Sequence, residues 1–74
     1  MTEEIYIQTE YITLTQFLKL ANIFDSGGMI KHYIQETGVF INGKKDYRRG
    51  KKLYPGDQVE IEMIGKFIVQ REVE

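Results

Sequence analysis

The dipeptide Asn42–Gly43 limits what this chain can fold into more than any other feature of its sequence. Both central residues of a type I′ turn need positive φ, which Gly adopts freely and Asn tolerates better than most side chains. Val39-Phe40-Ile41 runs straight into it and reads as a short strand, so the pair predicts a tight hairpin. What precedes that strand has a different period. Ser26 is a good N-cap, and Met29, Ile30, Tyr33 and Ile34 form one apolar stripe at helical spacing, with Lys31, His32, Gln35 and Glu36 outward. The spacing predicts a helix over 27–36 ending near Gly38, with Met29 as core filler and a switch to period two at Val39. Gly27–Gly28 is a poor first turn by propensity. Its two readings are close packing of backbone and approach of a phosphate to the free N–H groups.

The flanking segments follow the same logic. Residues 5–12 are β-branched and aromatic enough for a strand. Thr13 with Gln16 has the capping-box spacing, and Leu14, Phe17, Leu18 and Ala21 give a first helix one apolar stripe over 14–22, which Asn22 to Asp25 should end. Beyond the hairpin, Pro55–Gly56 suits the middle of a type II turn, where Asp57 accepts backbone hydrogen bonds. Val59, Ile61 and Met63 alternate with glutamates in a strand over 58–63, and Phe67 to Val73 alternates again as the last strand. The expected fold is α+β, two packed short helices against a small, twisted, mostly antiparallel sheet. Residues 1–74 make a single domain with no linker or repeat.

Composition excludes several function classes. There is no cysteine and one histidine, so neither disulfides nor a thiolate or His-rich metal site is expected, and no cofactor. Apolar runs stay far short of a membrane span and the first residues are acidic, so the expectation is a cytoplasmic protein without a membrane partner. No Ser–His–acid spacing or glycine-rich phosphate loop of the Walker type occurs, so neither catalysis nor a small-molecule substrate is expected. The net charge of −1 conceals a sharp division. Residues 1–43 carry two lysines against five carboxylates and residues 53–74 two cations against five, −3 in each case, whereas 44–52 carry six cations against Asp46, or +5. A polyanion feels the local patch more than the sum, since charges are screened beyond roughly 8 Å at physiological salt.

That tract supplies the candidate site. Arg48 and Arg49 have the planar fork for bidentate phosphate or base-edge contacts, and Lys44, Lys45, Lys51 and Lys52 read as backbone anchors. Tyr47 lies inside the run, either stacking on a base or packing over the sheet, and Gly50 would allow a bend aiming the basic pairs one way. Ser26, Gly27 and Lys31 at the start of the second helix would join the same footprint.

The joint spacing of Val39-Phe40-Ile41-Asn42-Gly43-Lys44 with Pro55-Gly56-Asp57 resembles the RNA-binding domain named after ribosomal small-subunit protein four, the alpha-L motif. The likeness covers about residues 13–63 and is nearest to small standalone bacterial members of YaaA type. Leu14 and Leu18, Ser26, and Ile30 with Lys31 also fall on that pattern. It implies a non-catalytic module binding structured RNA, with ribosomal RNA or a ribosomal particle as partner, and a monomer. The sequence departs from the family at Thr13 and Gly27, where phosphate-contacting arginines are common, and the dense tract 44–52 is expected to take over those contacts. Two other classes fit the charge pattern: a protein-interaction module meeting an acidic partner, and a DNA-binding protein.

Overall fold

The computed structural model describes residues 2–24 and 26–72. Its elements are β1 (Thr2–Ile7), β2 (Ile12–Thr13), α1 (Leu14–Leu20), α2 (Gly27–Glu36), β3 (Val39–Ile41), β4 (Lys44–Asp46), β5 (Lys52–Leu53), β6 (Gln58–Ile61) and β7 (Gly65–Arg71). Five strands form one sheet in the order β1-β7-β6-β3-β4, and β2 pairs β5 separately. Neighbours in the large sheet are antiparallel except β1 and β7, which run parallel. The fold is therefore α+β, as the change of period at Val39 implies.

Local signals account for most element ends. The Thr13 hydroxyl accepts the Gln16 N–H at 3.3 Å while the Gln16 side chain reaches back to the Thr13 N–H, a complete capping box. Ser26 caps α2 through the Met29 N–H at 3.3 Å. α1 stops at Leu20, two residues before its sequence pattern does, because Asn22 turns left-handed at φ 57°. Asp25, read as part of the same stop signal, and Val73, read as part of the last strand, lie outside the described residues.

The core is one cluster between the helices and one face of the sheet, with Leu14, Phe17, Leu18, Ile30, Ile34, Val59 and Val69 almost wholly buried. Phe17 meets Phe67 edge to face, centroids 6.3 Å apart. Met29 is not core filler: it is half exposed. The buried line of α2 runs through Ile30 and Ile34, and Met29 sits about 100° around the helix from Ile30. Residues 5–12 are likewise not one strand. β1 ends at Ile7, and Ile12 pairs with Leu53 in the small sheet.

The two turn motifs interlock. Asn42 and Gly43 have φ of 52° and 85°, as the hairpin requires, and Ile41 stands opposite Lys44 across it. Asn42 Nδ2 donates to Asp57 Oδ1 at 3.1 Å, and Asn42 Oδ1 accepts the Gln58 N–H at 2.9 Å. The other Asp57 oxygen, Oδ2, accepts the Tyr54 N–H at 2.8 Å, closing the Pro55–Gly56 turn from inside. A hairpin and a turn fifteen residues apart are thus held as one unit. Replacing Asn42 or Asp57 by alanine is expected to cost about 1–2 kcal/mol each, with a coupling of about 0.5–1.5 kcal/mol between them in a double-mutant cycle. Urea unfolding of the four proteins measures it, and strictly additive losses would mean the two turns do not support one another.

Candidate nucleic-acid interface

The basic tract is not one loop. Lys44–Asp46 is the edge strand β4, Lys52–Leu53 is β5, and residues between them turn tightly, closed by the Lys51 N–H on the Arg48 carbonyl at 3.3 Å. That turn is docked on α1. The Leu14 N–H donates to the Lys51 carbonyl at 2.9 Å, and the Thr15 N–H and hydroxyl both donate to the Arg49 carbonyl at 3.2 and 3.0 Å. The loop and the cap together satisfy the first-turn N–H groups of α1, which leaves that helix end nothing to offer a phosphate. Gly50 has open space around it and no positive φ, so the β-turn, not glycine's freedom, makes the bend.

Strand alternation then sorts the cations. Lys44 and Lys45 point to opposite faces. Lys45 Nζ lies 4.6 Å from the Phe40 ring centroid, on the sheet face away from the core. Lys44 instead lines an open groove with Arg48, Lys51, Lys52 and Tyr54. Two carboxylates border it, and both are already engaged. Asp57 is held by Asn42 and Tyr54, and Asp46 takes a forked contact from Arg48, Nε to Oδ1 at 3.0 Å and Nη2 to Oδ2 at 2.8 Å. The Asp46 Oδ1 also accepts the Arg48 N–H at 2.9 Å. Arg48 is thus aimed by Asp46 while most of its side chain stays in solvent.

The hydrogen-bonded Arg48 guanidinium holds the Asp46 carboxyl below its usual value, against an opposing push from partial burial. A depressed carboxylate adds stability that is complete above its unfolded pKa of about 3.9 and is lost as pH falls through the lower folded value. Asp46→Asn should therefore lower the thermal midpoint near neutral pH, and the gap to the parent protein should close on acidification below about pH 4. A gap that stays constant from pH 7 to pH 2 would show that Asp46 acts by shape alone.

Tyr47 is exposed over half its surface, but one ring edge lies against Gly38: a Cβ on that glycine would stand 2.9 Å from the ring. Arg49 is exposed, its carbonyl anchored to α1. Ser26 spends its hydroxyl oxygen on the cap, and the N–H groups of Gly27 and Gly28 have no partner among the described residues. Lys31 is exposed on the next turn of α2. α1 links the two regions. Thr15 touches Arg49, and Lys19, about 6 Å farther along the same helix face, lays its Nζ 3.8 Å from the point where a Gly27 Cβ would be.

Sequence reading missed three residues here. Lys19 was visible only as a polar helix position. Tyr11 and Tyr54, 43 positions apart, meet across the β2–β5 pair with ring centroids 5.9 Å apart, and Lys52 Nζ lies 4.9 Å from the Tyr11 centroid. The one available signal was a tyrosine close behind each end of the basic tract, Tyr47 within it and Tyr54 just beyond.

Two capped helices on a mostly antiparallel sheet, with a cation-lined groove at one edge, make a small α+β module of a definite class. The S4 domain family model matches residues 5–70, and the chain belongs to the S4 domain family. The match extends past both ends of the stretch that carries the sequence resemblance, taking in the second half of β1 and all but the last residue of β7. The chain is also similar to a Bacillus subtilis (strain 168) protein described as "Probable ribosome maturation protein RlbA", with 55% identity over 69 residues, 93% of this chain and 97% of that one.

Proposed function

We propose that this chain is a non-catalytic, monomeric RNA-binding domain of the cytoplasm that docks on structured RNA, either ribosomal RNA or a ribosome-associated particle. One observation carries the reading: Lys44, Arg48, Lys51 and Lys52 converge on a single groove, whereas the chain on either side of the basic tract is net negative. Phosphates are attracted at the groove and repelled elsewhere, which restricts the docking pose. The N–H groups of Gly27 and Gly28, which have no partner among the described residues, with Lys19 beside them and Lys31 one turn on, form the second contact at the far end of α1. Membership of the S4 domain family supports RNA as the polyanion, and the ribosome maturation named for the Bacillus protein supports a ribosomal particle as the setting. A rigid patch with its backbone pinned to α1 suits recognition of folded RNA by shape. The test is crosslinking in cells followed by sequencing of the attached RNA, for the parent protein and for a variant with Lys44, Lys51 and Lys52 replaced by alanine. Crosslinks concentrated on one ribosomal RNA region and lost in the variant are the expected result. Protein-only crosslinks that survive nuclease would favour an acidic protein partner.

A further inference from the structure

Phosphate contacts position an RNA but do not say whether the protein takes a paired or an unpaired nucleotide, and the tyrosines bear on that question. Of the five in the chain, Tyr33 is half-buried against Phe24, with ring centroids 5.1 Å apart. Tyr6 donates its hydroxyl to the Glu4 carboxylate at 2.6 Å, in acidic surroundings. Tyr47 has an edge wedged at Gly38, and Tyr11 has the Lys52 ammonium over its ring. Tyr54 alone lines the cationic groove, together with Lys52 and Arg48, with 47% of its surface exposed.

Its setting is rigid. The Tyr54 N–H donates to Asp57 Oδ2 at 2.8 Å, and its carbonyl accepts the Asp57 N–H at 2.9 Å. Leu53 before it is wholly buried, and Pro55 after it has φ fixed by its ring. Tyr11 supports the ring from one side, tilted 46° at 5.9 Å. An aromatic face held in place loses little freedom when a base lies on it, and bases stack on tyrosine with little regard to sequence.

We propose that Tyr54, supported by Tyr11, is the seat for one unpaired base of the bound RNA, with Lys51 and Lys52 taking the phosphates of that nucleotide. This rests on the groove being the phosphate site. A paired base has both faces covered by its neighbours in the helix, so only a bulged, looped or terminal nucleotide can occupy the seat. The preferred ligand is thus a folded RNA with a single unpaired nucleotide beside a stem, not an unbroken duplex.

The experiment measures affinity for two RNA hairpins that differ by one bulged adenosine. The parent protein should bind the bulged hairpin about 5- to 150-fold more tightly than the paired one, the range that stacking of one base supplies. Tyr54→Leu should erase that preference, costing the bulged hairpin far more affinity than the paired one, and Tyr54→Phe, which keeps the ring, should retain it. The preference should also survive an increase in salt that weakens both complexes, because stacking releases no counterions. Equal affinity of the parent protein for both hairpins overturns the proposal, as does a Tyr54→Leu variant that keeps the preference or, correctly folded by circular dichroism, loses both RNAs alike. Failure of the phosphate reading looks different: alanine at Lys44, Lys51 and Lys52 would then leave binding to both hairpins intact.

Discussion

Alanine at Gly38 is expected to destabilise the protein by about 2–4 kcal/mol, the sum of a left-handed backbone penalty and a collision. Gly38 has φ 76°, and its missing Cβ would stand 2.9 Å from the Asp46 carbonyl oxygen and 2.9 Å from the Tyr47 ring. The oxygen belongs to β4 and cannot move without disturbing the pairing of Val39 with Asp46. Total stability for a domain of this length is about 4–11 kcal/mol, so the loss is a large fraction of it. The thermal midpoint should fall by about 10–25 °C, given roughly 4–8 °C per kcal/mol at this size. The ring and the strand that would have to shift also carry the basic turn, so RNA affinity should drop although no charge has been removed. Gly50→Ala is the matched control: with open space around it and no positive φ, it should change stability by less than about 0.5 kcal/mol. Equal effects at the two glycines would mean that the Gly38–Tyr47 contact does not hold the loop.

Removing the groove lysines should produce the largest loss of binding. Each phosphate contact contributes roughly 0.7–0.9 to the slope of log K against log salt, so alanine at Lys44, Lys51 and Lys52 should flatten the slope by about 2–3. Taking 1 M salt as the point where that contribution vanishes, the loss near 150 mM is about 100-fold. Alanine at Lys66 and Arg71 is the control, because these cations lie on β7, and Lys66 is opposite Glu60. Their loss should cost only a few-fold through long-range attraction. Titration of one structured RNA at several salt concentrations decides between them. Equal losses per charge from both sets would mean that the whole surface attracts RNA and that no groove exists as a site.

What could be read from the sequence was local. Thr13 with Gln16, Ser26, Asn42–Gly43 and Pro55–Gly56 each set a backbone angle or satisfy an N–H within a few residues, and the structure has a helix start or turn at each. Asp57 could be read as a turn acceptor, but its bond to Asn42 could not, because nothing in either motif names the other. The cations were legible as a cluster, whereas their division was not. Once Lys44–Asp46 is an edge strand, parity sends Lys45 to the far face, and that strand is hard to foresee in a run of charges. Tyr11 and Tyr54 are the clearest loss: their meeting depends on two residue pairs, Ile12 with Leu53 and Thr13 with Lys52, too few to leave a pattern. Met29 shows the opposite failure, a side chain on the right stripe but at its margin.

The parallel pairing of β1 with β7 has a consequence for how the chain is made. Every partner in that pair is 64 positions away, from Thr2 with Lys66 to Ile7 with Arg71. Closing so long a loop is an entropic cost met late, after the helices and hairpins between have formed from nearer contacts. During synthesis, Ile5 and Ile7, which end up in the core, have no strand beside them until residues 69 and 71 have been added. The sheet is therefore completed by nearly the last residues described, and a chain halted at the Asn42–Gly43 hairpin carries its first strand exposed and unpaired.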